Sequence, residues 1–140
     1  MSFIPYIAKT ILTTHDAIAS HVRWKITLLL AVKIREPLSA RAQQSIQHPE
    51  QCSIGKWLLG KHTVHLRGTK EYLAVLDGHE AFHRQMLRIA NLINSGDFDE
   101  ADCLLNSPEP FLSASNTLAN AIMALDRVPK AVASPCSPQI

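Results

Sequence analysis

The sequence predicts an all-α protein, an antiparallel four-helix bundle with an additional short helix that carries a cysteine. Two observations lead there. Apolar residues recur three and four positions apart along most of the chain, the period of amphipathic helices. No hairpin turn joins alternating apolar runs, and no stretch sustains the period-two pattern of a half-buried strand. With 140 residues and 46% hydrophobic content, the chain can bury one core but not two. Residues 1–128 are assigned to that domain. The Pro- and Ser-rich "PKAVASPCSPQI" of 129–140 is assigned to a disordered tail.

Taken in order, the first helix is read from Ile4 through Ile7, Ile11, Ile18, Val22, Leu28 and Val32, ending before Pro37. Ser39 to Ile46 adds a short helical segment. Pro49 then opens a short helix containing Cys52 and Trp57 and closed by Gly60. The clearest helix covers Thr69 to Asn94, with a stripe of Tyr72, Leu76, His79, His83, Met86, Ala90 and Ile93. Those intervals alternate four and three, the seam of a bundle helix. Gly96 stops it as a left-handed cap. Residues 97–106 read as helical. Ser107 and Pro108 start a last helix with the stripe Phe111, Ser115, Leu118, Ile122 and Leu125.

Composition excludes several classes. A net charge of +2, with Lys and Arg scattered, gives no basic face for nucleic acid or an anionic membrane. The longest apolar run, Ile26 to Val32, is too short to span a bilayer. "MSFIPYIAKT" lacks the pattern of a secretion signal, so a cytoplasmic location is expected. Three widely spaced cysteines (Cys52, Cys103, Cys136) do not make a disulfide framework.

The chemistry concentrates in four residues. His79 and His83 stand four apart on one helix face, where both rings can reach one ion. Both occupy seam positions that should be apolar, and buried imidazoles need partners. His21 repeats the anomaly on the first helix, between Ile18 and Trp24. Alone it would be a core histidine bonded to a carbonyl; as a third seam histidine it points to convergence. Cys52, in "CSIGKW", can supply a fourth ligand, and a place in the first turn of a helix would favour its thiolate. Three His and one Cys suit four-coordinate Zn²⁺ rather than the oxygen-seeking Mg²⁺ or Ca²⁺. His62 and His65 read as exposed, His15 and His48 have no spacing partner, and Cys103 reads as packing. The acidic run Asp97, Asp99, Glu100 and Asp102 is explained by a helix start.

Together, "HVRW" (His21 to Trp24), "CSIGKW" (Cys52 to Trp57) and "HEAFH" (His79 to His83) resemble the signature of the chemoreceptor zinc-binding (CZB) domain family. The resemblance covers about residues 5–128. It implies a helical bundle, commonly a homodimer, holding one zinc ion through His21, Cys52, His79 and His83. One feature departs from the family: many members carry an acidic residue shortly before the first His, where this chain has Ala19 and Ser20.

The function expected is a zinc-binding sensory or regulatory domain of bacterial signalling, not an enzyme. Its output would be a chemoreceptor or a diguanylate cyclase, in cis or in trans. The signal would be zinc itself, or an oxidant such as hypochlorous acid acting on Cys52 as a redox switch. The alternative is a purely structural, zinc-stabilised dimerisation module. Catalysis is disfavoured because four protein ligands close the site and "HEAFH" is not the HExxH of zinc hydrolases.

Overall fold

The computed structural model describes residues 14–128, which are all-α: helices and turns, with no strand among the described residues. Helix α1 spans Thr14–Ile34, a stretch free of Gly and Pro. Two bonds close it, from the Arg35 and Glu36 amides to the Val32 and Ala31 carbonyls, the pattern of a left-handed C-terminal cap. That cap puts Arg35 at φ 56, where glycine is usual. The Arg35 side chain lies 5.0 Å over the Phe98 ring and 3.3 Å from Asp99, in an ion pair exposed at the surface. The expected start near Ile4, with Ile7 and Ile11, and the tail after Val128, with Cys136, lie outside the described residues.

Helix α2 (Ala40–Gln47) is capped by Ser39, whose Oγ accepts from the Ala42 amide. Next comes a single 3-10 turn, Pro49–Gln51, and then helix α3, Ser53–Leu59. The short helix therefore begins later than Pro49, because Cys52 is extended (φ −82, ψ 166) and stands at its N-cap. A 3-10 segment, Lys61–Leu66, leads to α4 (Lys70–Asn94), capped by Thr69 and ended by Gly96 at φ +85. Helix α5 covers Phe98–Asn106.

Ser107 was expected to cap the last helix. Instead its hydroxyl donates back to the Cys103 carbonyl at 2.7 Å and closes α5. A wide turn, Pro108–Leu112, follows, with Glu109 non-helical, before α6 (Ser113–Asp126) begins.

Helix α4 is the centre of the molecule, packed against α6, α5 and α2, while α1 lies on α6 and α5. Gly78 faces Leu118 where α4 meets α6, and a Cβ there would sit 3.4 Å from the Leu118 Cα, at the edge of ordinary contact. Every residue of the expected α4 stripe is buried except Leu76, which is half-buried, and Val75, Phe82 and Ile89 widen the face. Leu28, Phe82, Met86, Ile89, Phe111 and Leu118 are each at most 1% exposed, and each such side chain contributes about 1.5–3 kcal/mol. The α1 stripe is only partly right. Leu28 and Val32 are buried, but Val22 is 48% exposed. With Ile26, Leu30 and Ile34, likewise exposed, it forms an apolar line along the helix at intervals of four. Among the described residues, no helix is long and apolar enough to cross a membrane.

Candidate metal centre

Two elements bring the site together. Cys52 comes from the N-cap of α3, and His79 and His83 from successive turns of α4. One ligand atom of each lies within 4.8 Å of the other two, and all three residues are buried. Cys52 Sγ is 3.1 Å from His79 Nε2. The His79 and His83 rings meet edge to face, centroids 4.5 Å apart. Ligand atoms around a tetrahedral Zn²⁺ would be separated by about 3.5 Å, given its bond lengths. The group can hold a metal ion.

The sequence explains the placement of Cys52. Gly55 is required because a Cβ there would fall 2.0 Å from the Pro49 carbonyl oxygen. Without it the turn before α3 could not fold back onto the helix. That tight return leaves Cys52 Sγ accepting from the Gly55 amide at 3.5 Å. The far end of α3 is fixed at the Leu58 carbonyl, which accepts from Thr63 Oγ1 at 2.9 Å and from the Tyr72 hydroxyl. Trp57 packs half-buried against the core, as its role in "CSIGKW" suggests.

His21 is buried, at 3% exposure, but lies outside the 4.8 Å group. Its ring meets Phe82 edge-on at 4.6 Å, and its Nε2 is 2.5 Å from Ser115 Oγ on α6. Its charge would nonetheless be felt at His79. The His83 ring is held by Nδ1, 3.0 Å from the Ile46 carbonyl oxygen at the end of α2. That leaves two buried side-chain atoms with no hydrogen-bond partner among the described residues, His21 Nδ1 and His83 Nε2. Such orphans cost about 1–3 kcal/mol each. One of them belongs to His83, which shares the 4.8 Å group with Cys52 and His79, and an unpartnered imidazole nitrogen in a Cys/His group fits a metal ion.

The electrostatics agree for the histidines and differ for the cysteine. Burial lowers His21 to about 4. It lowers His79 to about 3, with help from the neighbouring His83 and His21. His83 is also lowered by burial, against the opposing pull of the Ile46 carbonyl and Glu50. All three are thus held neutral, the form that ligates metals. Cys52 was expected to favour its thiolate. Its thiol is instead pushed up, because burial outweighs the Gly55 and Ile54 amides and Lys56. The amides act in the expected direction and lose to desolvation.

Two cavities flank the group. One of about 410 Å³ lies against His79 and His83, walled by Ile46, Leu58 and Leu87 with Arg84 beside them. The other, about 300 Å³ and more polar, reaches Cys52 between Ser20, Arg23, Trp24 and Ser45. The remaining candidates take no part: His15, His48, His62, His65 and Cys103 are exposed. Sequence reasoning missed Ser115 and the Ile46 carbonyl. A backbone carbonyl carries no sequence signal, but Ser115 was visible as the single polar member of the α6 stripe. Comparison of the chain with family models, with curated proteins and with solved structures finds no match.

Proposed function

We propose that this chain is a zinc-binding sensory or regulatory domain of bacterial signalling, as its resemblance to CZB domains implies. The observation that carries the reading is the buried Cys52, His79 and His83 group, whose ligand atoms lie within 4.8 Å of one another. His21 is the fourth ligand. The donor set, soft thiolate plus imidazoles, favours Zn²⁺ over hard cations. The frame around it is read as an antiparallel four-helix bundle from which α3 hangs. A bound zinc would supply charge that keeps Cys52 as thiolate, against the burial that otherwise holds its proton.

The signal is zinc occupancy or oxidation of Cys52. In the second case the sulfur attacks the oxygen donor: thiolate plus hypochlorous acid gives sulfenic acid plus chloride, a two-electron oxidation of sulfur. The polar cavity beside Cys52 offers a small oxidant a way in. The exposed line Val22, Ile26, Leu30 and Ile34 on α1 supports a homodimer. The output is a chemoreceptor or diguanylate cyclase. No catalysis is proposed, since four protein ligands leave no position for a substrate.

One observation favours the structural alternative, a zinc-stabilised dimerisation module: Cys52 is only 6% exposed. Metal analysis with thiol titration, on wild type and Cys52→Ala before and after hypochlorous acid, tests both. A sensor of oxidant releases zinc as the thiol is lost; a structural site keeps both. Unchanged zinc content in Cys52→Ala overturns the site itself.

A further inference from the structure

A histidine that ligates a metal uses one ring nitrogen, and the other carries a proton donated to an acceptor that fixes ring and tautomer. His83 shows that arrangement within its own chain. A carbonyl only accepts, so the bond to the Ile46 oxygen at 3.0 Å places the proton on Nδ1. The lone pair is then on Nε2, the atom left buried without a partner.

At His21 the engaged and unpartnered nitrogens are exchanged, and the partner is a hydroxyl that can accept or donate. Nε2 is 2.5 Å from Ser115 Oγ, and Nδ1 is buried without a partner. The two residues are 94 positions apart, so the contact is tertiary and joins α1 to α6. Ser115 is also out of character where it stands. It interrupts the apolar stripe of Phe111, Leu118, Ile122 and Leu125, all of them buried.

We infer that Ser115 is a positioning residue of the metal centre, accepting the Nε2 proton of His21 so that Nδ1 is the metal-binding nitrogen. His21 and His83 would then present opposite nitrogens, one set by a hydroxyl on α6 and the other by the last turn of α2. The inference rests on the proposed metal-binding reading, with His21 as the fourth ligand beside Cys52, His79 and His83. It adds to that reading a residue that no motif in the chain marks and a contact that ties α6 to the site.

The test is zinc affinity by chelator competition for wild type, Ser115→Ala and Ser115→Thr, with thermal unfolding of the metal-free proteins as control. Loss of the acceptor should weaken zinc by about 10–100-fold, and threonine, which keeps the hydroxyl, should restore most of it. If Nε2 were the ligand, Ser115 would compete with the metal, and alanine would leave affinity unchanged or raise it. That result overturns the inference while leaving the site intact. Long-range ¹⁵N–¹H correlation of the His21 ring in zinc-loaded wild type reads the same question without a variant. A protonated Nε2 with Nδ1 coordinated supports the inference, and the reverse overturns it. Wild type that binds no zinc overturns the metal reading and this inference with it.

Discussion

Cys52 Sγ and His79 Nε2 lie 3.1 Å apart, although they are 27 positions apart in the chain, with α3 and a 3-10 segment between them. Nothing in local structure demands this meeting. It is produced by Gly55, which lets the turn at Pro49 close, and by α4, which holds His79 at 4% exposure. Replacing either member should therefore abolish high-affinity metal binding rather than weaken it slightly. His79→Ala and Cys52→Ala should each fall from about one zinc per chain to almost none. Metal content after gel filtration checks this; a variant that keeps its zinc places the ion elsewhere.

Gly55 provides a sharper test of how the cysteine is placed. Alanine normally improves a helix by up to about 1 kcal/mol over glycine. Here the added methyl meets the Pro49 carbonyl oxygen at 2.0 Å, so backbone must move. Gly55→Ala should destabilise the metal-free protein by about 1–3 kcal/mol and lower zinc affinity as well. Denaturant midpoints and chelator competition measure the two effects, and a stabilised variant would contradict the close approach.

Stability of the metal-free protein should depend on pH at both ends. Folded His21 and His79 hold their protons only below about 4 and about 3, and His83 is shifted in the same direction. Unfolded histidines protonate near 6.5. Below that value the unfolded chain binds more protons, so stability falls as pH drops from about 6.5 towards 3. Each site adds a slope of up to about 1.4 kcal/mol per pH unit. Burial raises the Cys52 thiol, so the unfolded chain ionises first and stability falls again above about 8.5. Urea midpoints in chelator from pH 4 to 10 should trace a plateau with two shoulders; a flat acid limb would mean the histidines are not buried neutral.

The apolar line on α1 bears on assembly. Ile26 and Leu30 are 50% and 57% exposed and belong to no core. Ile26→Lys with Leu30→Glu should shift a dimer to monomer while leaving the fold and the bound zinc in place. Sedimentation velocity at several concentrations measures this. A dimer that survives both charges uses another face.

The helices were legible in the sequence because periodicity and caps are local. The α4 stripe and the Gly96 stop follow from spacing and backbone chemistry, and the segment starts at Ser39 and Thr69 prove to be side-chain caps. Arg35 in a left-handed cap was not, and the residues its side chain meets, Phe98 and Asp99, lie more than sixty residues away. The same limit applies to the site. The imidazoles on α4 announced themselves as polar residues in an apolar seam. What holds each ring could not be read: the Ser115 hydroxyl and the Ile46 carbonyl reach their histidines only through tertiary packing. The direction of the Cys52 shift was misjudged for a related reason. A helix start is visible in sequence, whereas the depth at which it is buried is not.

Helix α3 has only seven residues, about 10 Å of rise and too little to persist without tertiary support. Its two ends are secured by different chemistry. At Leu58 it is pinned by neutral hydroxyls, those of Thr63 and Tyr72, which neither redox change nor metal loss would touch. At Cys52 it is latched by a sulfur, the one atom in the segment that such events alter. Unlatching would thus leave a lever hinged at Leu58, free to swing at its Cys52 end while staying attached to α4. Hydrogen exchange should then rise at Ile54 and Gly55 well before it rises at Leu58.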